Sequence, residues 1–341
     1  MNRFFSYGSV AALALILLSS SSRAQTEEAQ AGFRFLENPV SAEAMGKAGS
    51  CVATMTNSDA VYWNPAGLGW IEKNVDFNMS YTQGIADINY FAPSVAVKLW
   101  DFGVLAFDGV AMDYGDFYGT RYANNPDGYV ETGTFSPQAF AVGIGFSQKV
   151  SDRFSYGVHL KYAYQNLGGA WVAPSGADIS DPGQLSTIKY SHGEPAFDVG
   201  AIYDFLSHGI RFAAALQNVS RQITYVQQAF FLPFSVNFGL AVDPLSFLLT
   251  DYASSEHSFV LSVQSTHPRD FSESVRFGGE YNFAKIFTLR AGYMTGLDER
   301  GFTAGFGVSQ NFSGYTLHLD YAYEPFGIFS AVHFISIGAS Y

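Results

Sequence analysis

A single cysteine, Cys51, stands in the whole chain, so no intramolecular disulfide can form. An exported chain without a disulfide framework must hold itself together by other means. Charge is scarce as well: Asp, Glu, Lys and Arg make up 14% of the residues, where a soluble domain carries about a quarter. The charge present has no basic excess, with 18 Lys and Arg against 30 Asp and Glu. That balance excludes nucleic acid and other polyanions as partners. Long apolar runs are missing too. Outside the N-terminal leader nothing approaches the roughly eighteen apolar residues that a membrane helix needs. The 7 histidines sit on separate segments without the spacing of a zinc site. No Gly-rich phosphate fingerprint precedes a helix. No metal or cofactor is expected, and no nucleophile–base arrangement marks an enzyme.

What the chain does have is alternation. Tyr315, Leu317, Leu319, Tyr321 and Tyr323 share one parity, and Thr316, His318, Asp320 and Ala322 share the other. Successive strand residues point to opposite faces, so this segment has one greasy face and one polar face. In a soluble sandwich the greasy face buries against a second sheet; in a membrane barrel it meets lipid. The N-terminus favours the membrane. Arg3 is followed by an apolar core at residues 10–18 and by Ser22-Arg23-Ala24, the pattern of a secretory signal over residues 1–24 with Gln25 as the mature start. Without spanning helices, a membrane chain can only be a closed barrel.

Residues 25–73 lack strand alternation. Ser41 heads a short helical pattern, and Asn64-Pro65-Ala66-Gly67 punctuates the segment as a turn. From residue 74 to 341 about fourteen strands follow by alternation, so the expected fold is an all-β transmembrane antiparallel barrel behind an N-terminal plug. Connections alternate between short turns and longer loops at 114–136, 166–195 and 219–231, as barrels with periplasmic turns and external loops require. Residues 243–257 break the rhythm, being long where a turn is due, and Phe247-Leu248-Leu249 suggests a small helix there. Trp63, Trp70, Trp100, Trp171, Tyr81 and Tyr164 lie near strand ends, where interfacial girdles belong. Inward parity collects Lys161, Arg276, Glu280, Arg290, His318 and Asp320. Unpaired charges there would be expensive, so a cross-strand ion-pair network is expected. Whether those charges stiffen the barrel or line a polar conduit stays open. Inward Gly and Ala leave room for a plug.

Four blocks carry a family resemblance. They are Phe35-Leu36 with Ser41 to Ala48 and Ala60 to Leu68; Leu216 to Val219 with Leu232-Pro233 and Gly239 to Ala241; Phe277 to Tyr281 with Leu289 to Tyr293; and Leu317 to Tyr323. Together they resemble the PorV/PorQ outer-membrane proteins, and the Asn-Pro-Ala block is similar to one in FadL-type fatty-acid transporters. The resemblance implies a FadL-like fourteen-stranded barrel in the bacterial outer membrane, with a hatch over residues 25–73 that turns at Asn64, Pro65, Ala66 and Gly67. It implies a docking or assembly role in surface export of the type IX kind, with secreted cargo or secretion components as partners. The alternative is passive transport of a hydrophobic small molecule past the hatch.

Overall fold

Alternation closes into a wall. The computed structural model describes residues 31–341 except 173, 175, 179–180, 207–208, 225–228, 249–255 and 297–298. The leader lies outside the described residues. The strands are β1 (Val75–Gln83), β2 (Asn89–Lys98), β3 (Val104–Asp113), β4 (Phe117–Tyr122), β5 (Tyr129–Phe135), β6 (Gln138–Ser151), β7 (Phe154–Val172), β8 (Ser186–Asp204) and β9 (Arg211–Val219). After them come β10 (Ile223–Thr224), β11 (Ala229–Phe230), β12 (Ser235–Val242), β13 (His257–Pro268), β14 (Ser274–Phe283), β15 (Phe287–Met294), β16 (Phe302–Phe312), β17 (Tyr315–Phe326) and β18 (Phe329–Ser340). Fourteen of them form one closed antiparallel barrel, and β4–β5 and β10–β11 are small separate ladders. The barrel shuts where β1 pairs with β18, from Asp76↔Ser340 to Gln83↔His333. Closure leaves no unpaired edge, which hydrocarbon would not tolerate.

Parity sorts the side chains as expected. On β7, Tyr156, Val158, Leu160 and Tyr162 are exposed outward while Ser155, His159 and Ala163 are buried inward. On β17, Tyr315, Leu317, Leu319 and Tyr323 face out and Asp320 and Ala322 face in. The outer face is a continuous apolar belt, and its natural solvent is lipid.

Several local expectations differ from the structure. Residues 166–195 are mostly wall extension: β7 and β8 stay paired as far as Val172↔Ser186, with a register shift between Asn166 and Gly169. The Gly- and Asn-rich tract that reads as loop is that bulge, with Gly168 at φ 90°. The stretches 114–136 and 219–231 hold the β4–β5 and β10–β11 ladders. Residues 243–257 do contain a helical turn, Leu245–Leu248, opened by an Asp243 side chain that accepts from the Leu245 amide at 3.0 Å; Leu249 lies outside the described residues. Ser41 does not cap Ala42–Gly46, because it sits at φ 79° with no side-chain cap bond. Trp63 and Trp70 belong to no girdle. Both lie on the inner segment, packed against buried clusters.

Candidate functional site

Residues 31–73 cross the inside of the barrel. Their backbone and side chains bond to inward groups around its circumference: Ala42 N to Ser336 Oγ (2.9 Å), Ala48 N to Thr303 Oγ1 (3.0 Å), Cys51 N to Gln264 Oε1 (3.1 Å) and Gly69 N to Ser147 Oγ (3.1 Å). A segment tied to so many strands of a closed wall can only lie in its lumen. Burial there holds the Cys51 thiol well above its ordinary range.

Two cross-strand glycine pairs seat it. Gly157 on β7 opposes Gly200 on β8. A Cβ on Gly157 would overlap the Pro65–Ala66 backbone, and one on Gly200 would overlap the Asn64 amide. Gly278 on β14 opposes Gly292 on β15, and a Cβ on either would run into Lys47, with Ala48 also in the way of Gly292. Each pair is a notch that admits backbone at a distance only glycine allows.

The expected turn residues lie in the first notch. Asn64 opens the 3₁₀ turn Pro65–Trp70, its Oδ1 accepting from Ala66 N at 3.1 Å while Pro65 takes the first position. Its Nδ2 donates to Val52 O at 2.9 Å and reaches toward Ala201 O at 3.4 Å. Gly67 packs against Ala60 and the Met55 carbonyl. One side chain thus caps the turn, braces the segment and touches the wall. Asn64→Ala is expected to lower stability by about 1–3 kcal/mol, read as a lower urea midpoint in lipid vesicles; an unchanged midpoint would remove Asn64 from this role.

The inward charges form networks as expected, and the segment joins them. Arg290 on β15 donates from Nε to Glu280 of β14 (2.8 Å) and from Nη1 to Asp320 of β17. It reaches across β16 because Gly307 leaves the gap open. Lys47 of the segment pairs with Glu280 (3.1 Å) and Glu43 (3.2 Å). Burial opposes its charge, but those two carboxylates hold its ammonium above the ordinary range. Lys161 belongs to a different cluster: its Nζ donates to Asp198 (2.8 Å), which also meets His159, and His159 lies 2.8 Å from Asp108. His318 stands beside Gly338, where a Cβ would collide with its ring. Arg276 joins neither network.

Asp59 ties the segment to β1 and β2, accepting from Ser94 Oγ at 2.7 Å and from Asn78 Nδ2. Burial pushes its carboxyl from 3.8 up to about 6, against the hydrogen bond from Ser94. The folded chain therefore holds a proton that the unfolded chain releases between pH 3.8 and about 6. Asp59's contribution is full below that window and is lost as pH rises through it, by on the order of a few kcal/mol. Hydrogen exchange over residues 41–70 should be slower at about pH 4.5 than at about 7.5, and Asp59→Asn should flatten the difference; an unaltered pH dependence in Asp59→Asn would refute it.

Chambers lie on both sides of the segment. Toward the short turns are one of about 510 Å³ with Glu43, Asp76, Glu280, Arg290, His318 and Asp320 in its lining and one of about 440 Å³ with Trp70, Ile71, Lys98, Lys149 and Arg211 in its lining. The one toward the long connections, about 350 Å³, mixes Phe35, Leu36, Val40, Val110 and Phe271 with polar groups from β9, β12, β13 and β14. Beside it the wall has a flaw. The β2–β3 pairing lapses at Ala92 and Pro93, opposite Gly109 and Val110. Pro93 has no amide to offer, and the Tyr62 phenol of the segment donates to the carbonyls of Pro93 and Gly109 instead.

A closed fourteen-stranded antiparallel barrel with an apolar outer belt belongs to the bacterial outer membrane, and this one has the fold of FadL-like channels. Solved structures that share it are the CymD monoaromatic hydrocarbon channel, 13% identical, with 89% of this chain and 97% of that one covered at TM-score 0.53; a deltaS2S3 mutant of the TodX monoaromatic hydrocarbon channel, 12% identical, covering 88% and 97% at 0.54; and a Pseudomonas aeruginosa FadL homologue, 12% identical, covering 89% and 98% at 0.51. No protein-family profile matches the chain, and no curated protein matches it. The likeness carries the FadL-like barrel fold expected from the sequence and gives no support to the PorV/PorQ assignment or to a secretion role. Two of these neighbours are named as monoaromatic hydrocarbon channels.

Sequence reasoning missed Lys47, Asp59 and Tyr62. Glu43 and Lys47 stand four apart on a short helical pattern, a local pair that could have been read. Asp59 and Tyr62 offered no signal, since their partners lie on distant strands.

Proposed function

We propose that this chain is a passive conduit for hydrophobic small molecules across the outer membrane, with residues 25–73 as its hatch and 74–341 as its barrel. The observation that carries the reading is the outward chamber beneath the long connections, which offers Phe35, Leu36, Val40 and Phe271 to an apolar guest, where the chambers on the other side of the segment are lined mainly by polar and charged residues. Its volume of about 350 Å³ lies in the range of small-molecule sites. The channels that share the fold include two whose names state monoaromatic hydrocarbons. Next to that chamber Tyr62 covers the gap in the β2–β3 pairing. The test is flux into proteoliposomes. A labelled alkylbenzene should enter faster than into protein-free vesicles while a disaccharide does not. Equal alkylbenzene rates with and without protein would overturn the reading.

A second reading rests on the exposed aromatics above the wall. Tyr118, Tyr122, Tyr129 and Trp171 on the β4–β5 and β7–β8 hairpins stand open, a surface suited to the docking of secreted cargo or secretion components that the PorV/PorQ resemblance implies. Co-purification of one secreted protein, lost when those hairpins are trimmed, would favour it.

A further inference from the structure

Cations are scarce in this chain, 18 Lys and Arg in 341 residues, yet Lys73, Lys98, Lys149 and Arg211 all line the chamber of about 440 Å³ at the short-turn end. Parity sends three of them there. Lys98 ends β2 opposite the buried Val104, Lys149 lies on β6 opposite the buried Ser155, and Arg211 opens β9 opposite the buried Asp204. Lys73 comes from the end of the inner segment. The neighbouring chamber of about 510 Å³ has the reverse balance, with five carboxylates, Glu43 and Glu280 among them, against Lys285 and Arg290.

Local carboxylates leave most of this charge uncancelled. Asp204 holds Arg211 at 2.8 Å. Lys149 has only Asp152, 3.9 Å away on the exposed β6–β7 turn. Lys73 donates to the Gly314 carbonyl at 3.3 Å, and Lys98 has no ion pair or side-chain hydrogen bond among the described residues. Of the two carboxylates in the lining, Asp76 is buried and accepts from the Ser58 amide at 2.7 Å, and Glu72 is exposed. An aromatic ring organises the cations. Lys149 Nζ lies 4.2 Å and Arg211 Cζ 4.6 Å from the Trp70 ring centroid, and the indole N–H of Trp70 donates to Ser155 Oγ at 2.8 Å. Contact with the ring fixes where those two charges stand and cancels neither.

We infer that this chamber binds a compact multivalent oxyanion of the phosphate class, with Lys73, Lys98 and Lys149 as its cations and Arg211 as a further donor. Ammonium groups on flexible stems bind phosphate as point charges, and three of them around one space favour an anion of more than one charge over a lone carboxylate. Three of the side chains spring from the inner face and one from the segment, and the closed wall stands between them and lipid. The anion therefore arrives from water at the short-turn end and not as a lipid head group. Bound there, it joins the segment, through Lys73, to β2 and β6.

Isothermal titration of the full chain in zwitterionic detergent tests this, at about 20 mM salt so that screening is slight. Inorganic diphosphate should bind at least about tenfold more tightly than acetate. Lys98→Gln with Lys149→Gln should weaken diphosphate by at least about tenfold, and each single change by part of that. Neither lysine belongs to a close ion pair, so the variants should keep the heat-modifiable gel mobility of the folded barrel. Lys285→Gln, on the other chamber, should leave the affinity as it was. Equal affinity for diphosphate and acetate in the unaltered protein, or no binding of diphosphate, overturns the inference and needs no variant. An affinity that survives the double change, or falls as far in Lys285→Gln, overturns it as well. None of these results touches the conduit reading, since no residue of the outward chamber takes part.

Discussion

A chain lacking residues 31–71 should form a steady open pore in planar bilayers, whereas the complete chain should conduct little. The expectation follows from where the segment lies. Its amides and side chains bond to β6, β7, β13, β16 and β18, and it fills the layer between the polar and amphipathic chambers. The wall does not depend on it for backbone pairing, since the fourteen strands close among themselves. A gentler version keeps the chain whole. Gly157→Val with Gly200→Val puts side chains into the notch that holds Asn64, Pro65 and Ala66. That should unseat the segment and raise conductance part of the way, with disaccharide flux rising in parallel. If both variants conducted no more than the complete chain, the segment would not be what occludes the lumen.

The second large effect is expected at Arg290. Its guanidinium bridges Glu280 and Asp320, and all three side chains are mostly buried. In that cluster two cations, Lys47 and Arg290, meet three carboxylates, Glu43, Glu280 and Asp320. Arg290→Met leaves one cation among three carboxylates. Breaking a buried pair from one side costs about 3–5 kcal/mol, and the adjoining polar chamber, which can admit water, sets the expectation at the lower end, about 3 kcal/mol. Adding Asp320→Asn restores the original excess of one carboxylate and should recover more than half of the loss. Urea unfolding in vesicles, followed by heat-modifiable gel mobility, measures both. A double variant as unstable as the single one would mean that Arg290 acts through packing and not through charge.

Much of this fold is legible residue by residue, and the reason is geometric. A period of two assigns every residue of β17 to a face, and the same rule sorts β6 and β7 without knowledge of their neighbours. It also collects Lys161, Arg276, Glu280, Arg290, His318 and Asp320 on the inner face. It does not pair them. Arg290 meets Asp320 two strands away only because Gly307 intervenes, and nothing local reveals that. The period also stops where glycine and asparagine thin the pattern, which is why the β7–β8 extension reads as loop. The inner segment has no period to exploit. Trp63 and Trp70 therefore pass for girdle residues, and the Gly157–Gly200 and Gly278–Gly292 notches show as small inward residues without showing what they hold.

The proposed conduit requires an apolar guest in the chamber on the outward side of the segment. An experimental structure of the protein soaked with a brominated alkylbenzene tests it directly, because bromine is located by its anomalous signal. The expected result is one bromine peak within van der Waals reach of Phe35, Leu36, Val40 or Phe271. A lumen without bromine, or a peak confined to the polar chamber around Glu280 and Arg290, would contradict it.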